Sequence, residues 1–174
     1  MNLEPVVLQL LKDVGIKAGQ VVLDFGCGSG TYTVPAARIV GDKGKVDALD
    51  KDSKVLNELM RRVQSAGVNN VESIDTHGEL EIGLADGSVD VVLLFDVFHS
   101  YYFPGPEDRR KLLDEVHRIC RADALLLVYP KHMESTAREE IEKANFRLKS
   151  EFRGTLINDE KDSEQGRVLI FGKE

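Results

Sequence analysis

The segment from residue 21 to residue 33 constrains the fold of this chain more than any other. Val21-Val22-Leu23-Asp24-Phe25 is a short, mostly apolar and β-branched run bounded by glycine, the pattern of a strand buried on both faces. Gly26, Gly28 and Gly30 then fall at every second position, and a helical stretch follows from about Thr31 to Val40. A strand-to-helix turn alone does not need that many glycines. Their alternation lets the main chain bend sharply and lets a ligand lie against backbone that carries no side chain.

The rest of the chain repeats the alternation of strand and helix. Leu3 to Val14 sets Leu3, Val6, Val7, Leu10, Leu11 and Val14 on one helix face, and Gly15 ends it. After the turn at Gly41 to Gly44 come a strand at Lys45 to Leu49 and a helix at Ser53 to Ala66 that stops at Gly67. Val71 to Ile74 is a weaker strand, and Val89 to Phe95 is apolar apart from Asp90. An amphipathic helix from Glu107 to Arg121, a strand from Ala124 to Tyr129 and a poorly patterned helix from Ser135 to Asn145 follow. Phe146 to Leu156 and Arg167 to Phe171 read as two strands joined by the polar loop Asn158 to Gly166. That loop is too short for a parallel crossover, so these strands are expected to pair antiparallel. Five strand–helix units and a hairpin make a doubly wound α/β fold. Its sheet is expected to have seven strands, mostly parallel, with helices on both faces and an antiparallel closing hairpin. No repeat, low-complexity tract or linker divides the chain, so residues 1–174 are read as one domain, with an amino-terminal helix over 1–15 and a core over 20–172.

In such sheets ligands bind beyond the carboxyl ends of the strands, where the strand order reverses. A dinucleotide fingerprint, G-x-G-x-x-G, counted from Gly26 would need a glycine at position 31; this chain has Thr31 there and its third glycine at 30. Asp24 also stands inside the end of the first strand. A carboxylate there repels a pyrophosphate but suits an ammonium group.

Val22-Leu23-Asp24-Phe25-Gly26-Cys27-Gly28-Ser29-Gly30 resembles the first motif of class I S-adenosylmethionine (SAM)-dependent methyltransferases, which have a Rossmann-like fold. The likeness continues through Gly44 to Asp50, Asp86 to Leu94, Phe95 to His99 and the closing Gly166 to Phe171. The resemblance implies methyl transfer from SAM, with S-adenosylhomocysteine as product. The backbone of Gly26, Cys27 and Gly28 would pass close to the amino-acid portion, with Gly30 and Thr31 also on the cofactor, and Asp24 would read its ammonium directly or through water. Asp50 would accept hydrogen bonds from both ribose hydroxyls, and Lys51 or the segment after it would flank the adenine. Counting back from the fourth strand gives Glu79 as the acid for the adenine amino group; counting forward from the third gives Asp75 or His77. Glu79 is taken, and Phe95 is expected to pack on the cofactor.

A sulfonium methyl is already electrophilic, so positioning supplies most of the acceleration, and a base is needed only for an acceptor that arrives protonated. Asp96 and His99 are the candidate catalytic residues, with Tyr101 and Tyr102 nearby. No Asn-Pro-Pro-Tyr or Asp-Pro-Pro-Tyr run follows the fourth strand, which argues against the amino-directed base or glutamine methylation tied to those runs. Cys27 reads as a packing residue, because no histidine partner is evident. The four histidines have no metal-ligand spacing with one another or with either cysteine, and no metal site is expected. Two distant cysteines and no signal peptide point to the cytoplasm, and no apolar run approaches a membrane span. A net charge of −7 disfavours nucleic acid, and a small-molecule acceptor is expected. Little of the chain lies outside the core, so the acceptor is either open to solvent or covered by a second subunit, as in a homodimer. A SAM-binding module without catalysis and a nicotinamide-dependent oxidoreductase are the competing readings.

Overall fold

The computed structural model describes residues 2–158 and 162–174. Helix α1 (Glu4–Asp13) precedes β1 (Val21–Phe25), α2 (Thr33–Val40), β2 (Lys45–Asp50), α3 (Ser53–Ser65) and β3 (Val71–Asp75). Then come β4 (Val89–Phe95), α4 (Pro106–Ile119), β5 (Cys120–Tyr129), α5 (Glu134–Lys143), β6 (Phe146–Ile157) and β7 (Ser163–Lys173). The sheet order is β3-β2-β1-β4-β5-β7-β6. Strands β1 to β5 pair in parallel, and β7 runs antiparallel to both β5 and β6.

Successive side chains of the central strands enter opposite layers of the core. Val22, Val91 and Leu93 pack with α1, α2 and α3 on one face. Leu23, Val92 and Leu94 pack with α4 and α5 on the other. This double burial is why β1 and β4 are almost wholly apolar. Asp90, the polar residue inside β4, accepts from the Val21 amide at 2.7 Å and from Arg121 at 2.7 Å, so it caps the start of β1.

Two expectations need correction. The strand–helix units number four, because residues 76–88 join β3 to β4 through turns without a helix. Arg118 on α4 holds this connection, donating to the carbonyls of Ile82 and Leu84 and pairing with Asp86 and Glu115. The closing hairpin is also longer than its apolar pattern suggests. β7 begins at Ser163, because the polar residues up to Gly166 still pair with β6, and residues 159–161 of the expected loop lie outside the described residues. The order of strands reverses between β1 and β4, and their carboxyl ends frame the candidate site.

Candidate cofactor and acceptor site

The glycine loop leaves β1 and is tied to the end of β2. The amides of Gly26 and Cys27 donate to the Leu49 carbonyl at 2.8 and 3.0 Å. Asp50, at the end of β2, accepts from the Gly28 amide through Oδ2 and from the Asp52 amide through Oδ1, both at 3.1 Å. Its carboxylate therefore fixes the loop while keeping lone pairs for a ligand. Asp52 caps α3 by accepting from the Lys54 and Val55 amides.

Gly28 and Gly30 both have positive φ, for different reasons. A Cβ on Gly30 would run into Leu59 of α3, so this glycine exists for packing. A Cβ on Gly28 would meet no protein atom within 4 Å and would project into open space. Gly28 borders a cleft of about 490 Å³ lined also by Gly26, Asp50, Lys51, Glu79, Leu80, Asp96, Tyr102 and Phe103 among others, a size suited to a nucleoside-sized ligand. Lys51 Nζ stands 5.7 Å from the centroid of the Tyr102 ring, across its mouth. A second, smaller cleft of about 260 Å³ continues past Gly28 and is lined by Cys27, Thr31, Tyr32, Phe95, Asp96, Tyr129 and Asn158 among others. Asp96 borders both.

A larger depression of about 730 Å³ lies between β5 and the hairpin. Its charges are mostly paired with each other, Lys131 with Glu164 and Arg167 with Glu134, and its lining does not include Gly26, Gly28 or Gly30. The glycine loop, rather than this depression, is therefore the candidate site.

Asp24 lies beneath that loop, 4% exposed, and accepts from the Thr33 hydroxyl at 2.6 Å. Burial pushes its carboxyl up to about 6, against the Thr33 hydrogen bond and with added repulsion from Asp50. Burial likewise raises the Cys27 thiol, with Asp24 adding to the effect, so Cys27 is inert as a nucleophile. Tyr32 ties the loop to the far end of β6: its hydroxyl donates to the Ile157 carbonyl at 3.0 Å and accepts from the Ile157 amide at 2.9 Å. Its ring meets Phe95 edge-on, with centroids 4.8 Å apart.

The model of the methyltransferase domain family matches residues 22–123, more than half of the chain. The chain belongs to the methyltransferase domain family. A crystal structure of a SAM-dependent methyltransferase from Aquifex aeolicus superposes with a TM-score of 0.78 at 27% identity, covering 97% of this chain and 92% of that one. A probable cobalt-precorrin-6B C(15)-methyltransferase (decarboxylating) of Saccharolobus solfataricus is 40% identical over 70 residues, 40% of this chain and 35% of that protein. The ubiquinone/menaquinone biosynthesis C-methyltransferase UbiE of Vibrio vulnificus is 31% identical over 115 residues, 66% of this chain and 42% of that protein. The chain thus spans less than half the length of these two curated relatives.

Within this methyltransferase domain the residues expected from the sequence fall into three groups. Gly26, Gly28, Asp50, Lys51, Glu79 and Asp96 line the larger cleft, and Cys27, Thr31 and Phe95 line the smaller. Of the three residues weighed for the adenine, Glu79 borders the cleft, whereas Asp75 is engaged with the amide and ring of its neighbour His77. Asp24, Gly30 and His99 border neither cleft and sit behind its wall. His99 is 5% exposed; its Nδ1 accepts from the Tyr101 amide at 3.2 Å, and its Nε2 lies 3.2 Å from the Asp96 carbonyl. Both ring nitrogens are occupied, which disfavours His99 as a free base. Sequence reasoning missed Tyr32, Tyr129 and His132. His132 comes from the turn after β5 and stands 3.5 Å from Asp96 Oδ1. Spacing along the chain carries no signal for it, because 35 residues of intervening fold separate the two.

Proposed function

We propose that this protein binds SAM in the cleft beside Gly28 and transfers its methyl group to a small acceptor that approaches over Asp96. One observation carries the reading: Gly28, whose Cβ position is empty of protein atoms, lines a nucleoside-sized cleft, while Asp50 stands at its amide with acceptor-only oxygens. Bare main chain beside a carboxylate fits a ribose and an amino-acid ammonium and repels a pyrophosphate. The roles follow from position. Asp50 holds the ribose, Glu79 and Lys51 lie at the adenine end, and the glycine loop carries the amino-acid portion above Asp24. SAM, when bound, supplies an electrophilic methyl. The chain's own contribution is to hold the acceptor in line and exclude water, with Phe95 and Tyr32 closing the loop side. Asp96 is the carboxylate placed to take a proton from an acceptor that arrives protonated.

The same proposal places the protein in the cytoplasm, where its two buried free thiols stay reduced, and among enzymes of small molecules. No helix among the described residues is long and apolar enough to cross a membrane. The acceptor side is closed by the acceptor or by a second copy, which sedimentation with and without SAM distinguishes.

Calorimetric titration with SAM, S-adenosylhomocysteine and NAD tests the reading. Both adenosyl ligands are expected to bind, and Asp24→Asn to weaken both together, because both carry the same ammonium. Tight NAD binding, or NAD affinity that rises in Asp24→Asn, would overturn it in favour of a dinucleotide enzyme.

A further inference from the structure

The folded chain brings Asp96, His99 and His132 together so that one ligand atom from each lies within 4.8 Å of the others. Asp96 ends the approach from β4, His99 follows in the next turn, and His132 arrives from beyond β5. Asp96 Oδ1 is at the centre, 3.5 Å from His132 Nε2 and 3.8 Å from His99 Nε2. That oxygen is shielded from solvent and has no hydrogen-bond partner among the described residues. Asp96 also holds a left-handed backbone, with φ 54°, at a position where an aspartate costs less than most residues but still pays strain. A surface ion pair alone is weak and does not account for a sequestered, unpartnered carboxylate oxygen facing two imidazoles. We propose that these three side chains form a binding site for a divalent first-row transition-metal ion, open on the side of the acceptor.

The donor chemistry fits. Two imidazoles and one carboxylate, with other positions free, suit zinc-type ions better than magnesium or calcium, which take oxygen ligands. Ligand bonds of roughly 2.0–2.2 Å set neighbouring donors about 3.0–3.5 Å apart. The two distances from Asp96 Oδ1 are therefore within a few tenths of an ångström of the need. His132 is more than half exposed and has freedom to swing in. His99 is fixed, its ring edge-on to His132 with centroids 5.0 Å apart.

Loading has a specific consequence. In the ion-free arrangement Nδ1 of His99 accepts the Tyr101 amide hydrogen, so the neutral ring carries its proton on Nε2 and directs it at the Asp96 carbonyl. An ion on Nε2 displaces that proton to Nδ1, which then can no longer accept from the Tyr101 amide. Because Asp96 borders both clefts, the ion would hold an oxygen or nitrogen of the acceptor next to the methyl donor and lower the acceptor's pKa. That role rests on the methyl-transfer reading; the ion binding does not.

The test uses the whole chain without an affinity tag, freed of metal by a chelator and titrated with Co²⁺ while visible absorption is followed. One saturable equivalent with d–d bands is expected. His132→Ala and Asp96→Asn should each lower Co²⁺ affinity by more than about tenfold, since even outer partners of metal ligands cost that much. His77→Ala, which removes a histidine beside a different acid, should leave it unchanged. Nitrogen-15 spectra of the imidazoles under Zn²⁺ should show His99 changing from the Nε2–H to the Nδ1–H tautomer. Absence of a saturable Co²⁺ spectrum, or binding that survives in His132→Ala and Asp96→Asn, overturns the proposal. Either result leaves the SAM titration untouched, so the two readings fail separately.

Discussion

Gly28 and Gly30 carry the same letter two positions apart and do different work. Gly30→Ala combines a left-handed backbone with a clash against Leu59, so it should destabilise the fold by about 1–3 kcal/mol. Gly28→Ala has open space and only the backbone strain, so it should melt closer to wild type yet lose most of its SAM affinity. Thermal melts paired with calorimetry check this, and equal SAM binding by both variants would refute the cleft assignment. Asp24 makes a pH prediction. Its folded pKa is raised to about 6 by burial, so the folded chain binds that proton more tightly than the unfolded one. Its contribution to stability is full below about 4 and is lost as pH rises through about 6. An ammonium ligand needs the ionised form, so SAM affinity should fall as pH is lowered below about 6. Titrations between pH 5 and 8 should show that slope in wild type and none in Asp24→Asn. The acid and the glycine pattern were legible in the sequence. Which glycine faces a ligand was not, since that depends on a leucine 29 positions away in α3.

At the scale of elements, the connection from β3 to β4 carries Glu79 without a helix to hold it. Its rigidity comes from α4. Arg118 reaches the carbonyls of Ile82 and Leu84, and Glu115 accepts from the Ile82 amide at 2.8 Å. Arg118→Ala should therefore free this segment while α4 stays folded. Amide exchange is expected to quicken over residues 76–88, and SAM affinity to drop several-fold although Arg118 touches no cleft. Unchanged exchange there would show that the Ile82 side chain, 1% exposed, anchors the segment alone. The sequence shows an Arg near the end of an amphipathic helix. It cannot show that the guanidinium replaces the missing crossover helix.

At the scale of the whole molecule, a ligand that binds only the folded chain stabilises it by mass action. SAM at about 100 times its dissociation constant should add about 2.7 kcal/mol and raise the melting temperature by roughly 5–10 °C for a chain of this size. NAD at the same concentration should leave it unmoved. A scanning fluorimetry series decides this before any acceptor is known, and a larger shift from NAD than from SAM would contradict the family reading. The domain is also acidic, with a net charge of −7, and no nucleic acid is expected to shift the melt.

What the sequence determined by itself was whatever depends on neighbours along the chain. Apolar runs of strand length, helical spacing of Leu56, Leu59 and Val63, and glycines at 26, 28 and 30 follow from backbone sterics and from which face is buried. Hence the seven strands, their mostly parallel sheet and the glycine loop after the first of them were all readable. The tertiary structure decided what depends on residues far apart. It set Tyr32 against Ile157 and stapled the β3–β4 segment with Arg118. It paired polar hairpin residues that carry no apolar alternation, and it gathered Asp96, His99 and His132 at one point. Such meetings cost chain entropy that only the assembled core offsets, so no local pattern in the chain announces them.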